Sequence, residues 1–386
     1  MMYWVYLYAD TFIWQNNNEY LIYNTSNNNS IYGKCVGHLG SIISGLHDII
    51  NLYCIEVDER VCKEDKYVTK FLTDLRKNNV GDYKLKTSNL LERPISLPPI
   101  PNVQSEINRR KDNVNFDYLS YINHIDICYG RNMNNSQLVY SLNAFLRVKP
   151  SLNIELPSET EVEINVSLFK LLKSISIHNF QISLTFPYGY YIKNSHFIDE
   201  ISPEIHSFYI TANNCTDEML EILSKTSFKN RITIRYEISG IDEYQQVAHI
   251  LNEEIQSFPI RINFTFFDKN IVLPLISFKK HDVLNRKLSK SDIYRHMIIN
   301  THFFGRLKVK ENSDIISPCT EQVLSNIGVD NCWNEASKKE CESSKSEWFL
   351  TRKSMGTICK NCLLNDLCPS PSEIEIKLGV TAPCQS

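Results

Sequence analysis

Between residues 120 and 270, strand-like runs alternate with helix-like stretches, and this alternation constrains the fold more than any other feature of the chain. YINHIDICYG, QISLTFP and NRITIRYEI are typical of strands, whereas SQLVYSLNAFLRV, TDEMLEILSK and DEYQQVAHILNEEI have the apolar spacing of helices. Strands joined by crossover helices form a parallel sheet with the helices packed outside it. Because the units are too few for a closed eight-fold barrel, we expect an α/β fold with an open, partial barrel.

The first 89 residues are typical of a small module in which strands precede helices. The aromatic run YWVYLYA predicts a strand, and EYLIYNTSNNNSIYG predicts two strands around an Asn/Ser turn. The stretch KYVTKFLTDLRK predicts a helix whose apolar positions form one stripe, namely Val68, Phe71, Leu72 and Leu75. This order of elements favours a winged-helix-like module.

A proline-rich stretch separates this module from the rest of the chain. LLERPISLPPIPNVQSE contains four prolines, which exclude a helix and predict an extended linker. We therefore expect the N-terminal module over residues 1–89, the linker over 90–115, the partial barrel over 116–300 and a cysteine-rich domain over 301–386.

The cysteines concentrate near the C-terminal end of the sequence. Cys359, Cys362 and Cys368 have the spacing C-x2-C-x5-C, and Cys384 completes a set of four. Four thiolates suit either a tetrahedral zinc ion or a 4Fe–4S cluster, and the spacing does not decide between them. Buried or free thiols are the alternative. Three further cysteines lack a tight pair and are expected to be small buried residues: Cys319, Cys332 and Cys341.

Charge and hydropathy exclude several classes of protein. A net charge of −3 argues against a nucleic-acid-binding surface. No apolar run reaches the ~18 residues of a membrane span. The start MMYWVYLYADTFIW carries Asp10 and lacks a basic stretch, which indicates a strand and not a signal peptide. We therefore expect a cytoplasmic protein with reduced thiols and with neither nucleic acid nor membrane as a partner, a setting that favours metal ligation over disulfides.

A partial barrel followed by a cysteine-rich extension resembles the radical SAM peptide maturases that carry a SPASM domain. The stretches NTHFFGRLKV, EWFLTR and CKNCLLNDLCPSPSEIEI resemble in particular the pseudo-radical-SAM/SPASM proteins of Bacteroidetes gene clusters for GG-leader ribosomal peptides. The resemblance implies a winged-helix-like module that binds a leader peptide by strand addition, a partial (β/α) barrel of radical SAM type and a SPASM-like C-terminal domain. It also implies an auxiliary 4Fe–4S cluster on Cys359, Cys362, Cys368 and Cys384. SPASM domains usually carry more cysteines, so one cluster is expected here, not two.

One departure from the active enzymes of this family decides the expected function. They hold a catalytic cluster through C-x3-C-x2-C after the first barrel strand, whereas YINHIDICYGRNMNNSQ offers Cys128 alone, and the nearest other cysteines are Cys62 and Cys215. One thiolate cannot hold that cluster, so we expect no S-adenosylmethionine chemistry and assign no catalytic or cofactor-binding residue. The resemblance then implies a non-catalytic accessory protein that binds a ribosomal precursor peptide, a partner maturation enzyme, or both.

Two other functions stay open. The first is an enzyme that uses the barrel cavity for non-radical chemistry, with four candidate residues at or just after the first strand: His124, Asp126, Tyr129 and Arg131. Strand alternation places His124 and Asp126 on one face, although such pairs are more often structural hydrogen-bonding groups. The second is a metal-stabilised scaffold without a peptide partner. The sequence contains no phosphate loop, no H-E-x-x-H and no G-x-S-x-G.

Overall fold

The structure, a computed structural model, describes most of the chain. The described residues are 1–87, 93–96, 117–145, 147–156, 162–176, 178–212, 216–252, 258–265 and 269–381. The predicted linker lies outside these ranges except for residues 93–96. No helix within the described ranges combines the length and the hydrophobicity that are needed to cross a bilayer.

The N-terminal module, residues 1–87, contains two antiparallel sheets and three helices. Its strands are β1 (Met2–Leu7), β2 (Thr11–Gln15), β3 (Glu19–Asn24), β4 (Ser30–Lys34), β5 (Cys54–Asp58) and β6 (Gly81–Leu85), and its helices are α1 (His38–His47), α2 (Glu59–Glu64) and α3 (Lys66–Lys77). One sheet has the order β5-β1-β6 and the other the order β2-β3-β4. The predicted apolar stripe of α3 is confirmed, because all four of its residues are buried.

Nine strands form the central sheet, which continues past residue 300. They are β7 (His124–Cys128), β8 (Ser151–Glu155), β9 (Ile182–Pro187), β10 (Ser207–Ala212), β11 (Ile232–Ile238), β12 (Ile260–Phe264), β13 (Arg306–Val309), β14 (Asp314–Ile316) and β15 (Val323–Asn326). The order is β12-β11-β10-β9-β8-β7-β13-β14-β15, so the sheet is open. The strands from β12 to β13 are parallel, and β14 and β15 add an antiparallel edge.

Crossover helices cover one face of this sheet. They are α4 (Asn135–Leu142), α5 (Val162–Ser176), α6 (Tyr188–Ile201), α7 (Asp217–Ser224) and α8 (Ile241–Asn252). Alternate strand residues such as Ile125, Leu152 and Ile210 join apolar residues of these helices in one large core. The expected parallel, open sheet with crossover helices is therefore confirmed. Since side chains of a strand alternate between faces, the intervening polar residues occupy the opposite face.

The remaining helices belong to the C-terminal part of the chain. They are α9 (Lys269–Ile276), α10 (Lys280–Leu284), α11 (Lys290–Ile298), α12 (Cys332–Glu342), α13 (Thr357–Lys360) and α14 (Glu373–Leu378). Two buried tryptophans anchor this part to the central sheet and its helices. Trp333 Nε1 donates to the carbonyl of Ser141 at 3.1 Å, and Trp348 Nε1 donates to that of Arg306 at 3.0 Å.

The β2-β3-β4 sheet is buried on both faces. One face carries Ile13 and Ile22 into the core of the N-terminal module. The other face carries Phe12 and Leu21 into a second cluster with Leu364 and other residues of the tail segment, which we define as residues 347–381. Because strand residues alternate, one small sheet serves two cores. The division of the chain into four domains stays a prediction.

Candidate functional site

A connected polar network covers the central sheet on the face opposite the helices. Its residues come from β7, β8, β9 and β13, at positions that alternate with core residues: His124, Asp126, Cys128, Asn153, Glu155, Thr185, Arg306 and Lys308. The register places Asp126 of β7 beside Asn153 of β8 on one side and Lys308 of β13 on the other.

Asp126 lies at the centre of this network. Its Oδ1 is 3.1 Å from His124 Nε2 and accepts from Asn153 Nδ2 at 2.9 Å, while its Oδ2 accepts from Arg306 Nη2 at 2.8 Å. Thr185 Oγ1 donates to Asn153 Oδ1 at 2.8 Å and extends the chain of bonds to β9. The prediction that His124 and Asp126 share a face is confirmed.

The protonation state of Asp126 follows from its neighbours. Burial alone would raise its pKa, but the hydrogen bond to His124 and the positive charge of Arg306 hold that pKa well below its ordinary value. Asp126 is thus an ionised carboxylate with both oxygens engaged. Such a group is an anchor for the strands and is poorly suited to accept a proton from a substrate.

Cys128 lies at the end of β7 beside a second carboxylate. Its thiol is 3.5 Å from Glu155 Oε2, which also accepts from Lys308 Nζ at 3.3 Å. Burial raises the pKa of Cys128 to about 11; the charge of Glu155 raises this pKa further, and that of Lys308 lowers it. Burial therefore keeps this thiol in its neutral form, which is a weak nucleophile.

The other two candidates near the first strand do not join this network. Tyr129 is buried in the apolar core, and its hydroxyl donates to Ser167 Oγ at 3.0 Å. Arg131 is exposed in the loop after β7. The sequence analysis missed Asn153 and Arg306, although the polar–apolar alternation of SLNIE and RLKV is a usable signal for both.

The tail segment contains three of the four predicted metal ligands. Cys359 lies in α13, and the backbone N–H of Cys362 donates to its carbonyl at 3.2 Å. The N–H of Leu364 donates to Cys362 Sγ at 3.4 Å. Burial raises the pKa of Cys362, the hydrogen bond from the Leu364 N–H lowers it, and the Cys359 thiol raises it.

The complete ligand set stays a prediction. Cys384 lies outside the described residues. Within the part of the chain that the structure describes, no three His, Cys, Asp or Glu side chains are arranged to hold a metal ion. The described thiols fit a metal centre in their chemistry and in their sequence spacing, whereas their assembly around one ion is not shown.

The three less regular cysteines are buried, as predicted. Cys319, Cys332 and Cys341 are each at most 4% exposed. Burial raises the pKa of Cys319 to about 12 and that of Cys332 to about 11, so both thiols are neutral. They act as small core residues.

A cleft of about 1000 Å³ lies between the N-terminal module and the tail segment. One wall is formed by the turn between β2 and β3 (residues 16–18) together with Trp14 and Lys34, and the other by Lys353, residues 360–363 and Asn365. The sequence analysis missed this cleft because its walls are far apart in the chain and no local pattern marks their contact.

Comparisons with known proteins give little guidance. No family model matches the chain, and no curated protein matches it. Among solved structures, the crystal structure of Streptococcus suis SuiB bound to S-adenosylmethionine aligns with a TM-score of 0.41 and 12% sequence identity. The alignment covers 99% of this chain and 100% of that one.

Proposed function

We propose that this chain is a non-catalytic accessory protein in the maturation of a ribosomally synthesised peptide. It binds the precursor peptide, a partner maturation enzyme, or both. The observation that carries the proposal is the setting of Cys128, the lone cysteine of the first parallel strand, whose thiol donates to Glu155. Reductive cleavage of S-adenosylmethionine needs three thiolates at this position in the enzymes that the sequence resembles.

The polar network supports a structural role for the sheet face. Asp126 is occupied by His124, Asn153 and Arg306, and Lys308 is paired with Glu155. Charges neutralised in this way hold neighbouring strands in register. Non-radical catalysis with Asp126 as its base would first have to break these bonds, which makes that alternative the weaker one.

The proposal includes one inorganic centre in the C-terminal part, a 4Fe–4S cluster or alternatively zinc, on Cys359, Cys362, Cys368 and Cys384. When bound, such a centre supplies a cross-link between ligand loops, and a cluster could also relay an electron to a partner. Between these cysteines, the chain places Leu363, Leu364 and Leu367 against β2 and β3. The conformation of this loop therefore determines how the tail segment packs on the N-terminal module.

The N-terminal module supplies a surface for a peptide in this proposal. Its β2-β3-β4 sheet precedes a helical part, as in winged-helix-like leader-recognition modules, and β4 lies at an edge of that sheet. An edge strand can accept an extended peptide as an additional strand through backbone hydrogen bonds. This mode of binding needs no diagnostic side chain.

Calorimetric titration of the full chain with the precursor peptide encoded beside it tests the proposal. We expect the leader half to bind with a Kd on the order of micromolar and the core half to bind much more weakly. Titration with the neighbouring maturation enzyme forms the second arm. If neither the precursor nor the enzyme binds, the accessory function is wrong and a scaffold without a peptide partner is favoured.

A further inference from the structure

The cleft between the N-terminal module and the tail segment differs chemically from a small-molecule pocket. Pockets of comparable volume that bind small molecules are lined mainly by apolar and aromatic side chains. This cleft is lined mainly by polar side chains, six of them carboxamides: Gln15, Asn16, Asn17, Asn18, Asn361 and Asn365. Carboxamides offer a donor and an acceptor side by side, which matches the backbone of an extended peptide.

The charge of the cleft is positive. Three lysines line it, Lys34, Lys353 and Lys360, against one carboxylate, Glu19. Lys353 is paired with the buried Asp366 at 2.9 Å. Lys34 and Lys360 are exposed, and among the described residues neither has a carboxylate within ion-pair distance. Lys34 thus lies on one wall of the cleft, with Glu19 as its cross-strand neighbour, and Lys360 lies on the other wall.

One wall of the cleft contains a buried carboxamide, Asn365. Asn365 is 6% exposed, and its Nδ2 donates to the carbonyl of Cys359 at 3.3 Å. Its Oδ1 is buried and has no hydrogen-bond partner among the described residues. Buried carbonyl oxygens of folded proteins are normally paired.

The walls are held in place before any ligand arrives. Asn16 Oδ1 accepts from the backbone N–H groups of Asn18 and Glu19 at 3.0 and 2.8 Å, which fixes the turn between β2 and β3. Trp14 Nε1 donates to Asp366 Oδ2 at 2.8 Å and ties this turn to the tail segment. A rigid site loses little conformational entropy on binding.

We infer that this cleft binds an extended acidic peptide segment, with the carboxamides on its backbone and Lys34 and Lys360 on its carboxylates. That the occupant is a peptide rests on the proposed function. The place where it binds and its negative charge are inferred from the residues that line the cleft. The cleft adjoins the end of β4, because Lys34 is the last residue of that strand, so a precursor added to the edge of β4 could also contact the cleft.

Fluorescence anisotropy on the full chain tests this inference with a fluorescein-labelled (Glu-Ser)5 peptide and its (Gln-Ser)5 counterpart. We expect the acidic probe to bind at least about tenfold more tightly than the neutral one. The double variant Lys34→Glu/Lys360→Glu should weaken binding of the acidic probe by at least about tenfold. The matched control Lys149→Glu/Lys345→Glu, which changes two exposed lysines outside the cleft, should leave it unchanged.

Three results would overturn the inference. The first is equal affinity of the protein for the two probes. The second is an equal loss of affinity for the acidic probe in the cleft variant and in the control variant. The third is complete displacement of the acidic probe by inorganic phosphate at constant ionic strength, which would indicate a small-anion site. The precursor titration separates the two claims. If the precursor binds the cleft variant as tightly as the wild type, the cleft inference fails and the proposed function stands. If the acidic probe binds but no precursor does, the proposed function fails.

Discussion

Glu347 makes the stability of this protein depend on pH in a direction opposite to that of most carboxylates. It is 1% exposed. Its carboxylate accepts from the backbone N–H of Cys319 at 3.1 and 3.2 Å and from that of Thr320 at 2.9 Å. Burial raises the pKa of Glu347 to about 7; the backbone hydrogen bonds lower this pKa, and the charge of Glu340 raises it. The folded protein therefore favours the protonated form of a group that ionises readily when the chain is unfolded.

The size of the effect follows from the two pKa values. The ordinary pKa of a glutamate, 4.5, represents the unfolded chain, so the pKa of Glu347 rises on folding. Between those values the folded state binds more protons than the unfolded state, and the free energy of unfolding falls as pH rises. The stabilisation is present in full below pH 4.5 and is lost as pH rises through about 7. A shift of this size corresponds to about 3 kcal/mol.

The substitution Glu347→Gln removes the titration and keeps an acceptor for the same N–H groups. Denaturant unfolding, followed by the fluorescence of the buried neighbour Trp348, should show that the variant gains about 2–3 kcal/mol over the wild type between pH 5 and pH 8. Glu342→Gln, at an exposed carboxylate, is the matched control and should show no such gain. A stability difference between Glu347→Gln and the wild type that stays constant over this range would refute the reasoning.

Three further predictions follow from the described contacts. Arg352→Met should lower the free energy of unfolding by about 3–5 kcal/mol in chemical denaturation, because it leaves the buried Glu375 carboxylate without its cation. The double variant Arg352→Met/Glu375→Leu should recover part of this lost stability. In metal analysis, Cys128→Ser should leave iron and zinc content unchanged, whereas Cys362→Ser should reduce it, since only the latter thiol belongs to the proposed ligand set. Asp126→Asn should cost about 1–3 kcal/mol in the same denaturation assay, because the polar network loses its central charge.

Local sequence patterns predicted the elements of this fold well where periodicity was strong. The stripe of α3 and the strand that carries His124 and Asp126 are examples. The strand β8 (Ser151–Glu155) was missed because it is short and partly polar. The polar residue Asn153 of β8 donates to Asp126 of β7. The polarity that weakened the strand pattern in the sequence is therefore also what links the two strands.

Long-range pairing explains what the sequence could not show about the site. Arg306 reaches Asp126 only because β13 joins the sheet beside β7, a parallel pairing that no local pattern encodes. The cleft likewise arises where Trp14 meets Asp366. By contrast, the C-x2-C spacing of Cys359 and Cys362 is local, and the two residues share one backbone turn in which the N–H of Cys362 donates to the carbonyl of Cys359.

The most direct test of the central claim is an anaerobic assay for 5′-deoxyadenosine with iron- and sulfide-reconstituted protein, S-adenosylmethionine and a strong reductant. We predict no product above a control without protein, because Cys128 stands alone in the first parallel strand and one thiolate cannot hold the catalytic cluster. Formation of 5′-deoxyadenosine by the wild type, with loss of that activity in Cys128→Ser, would contradict it.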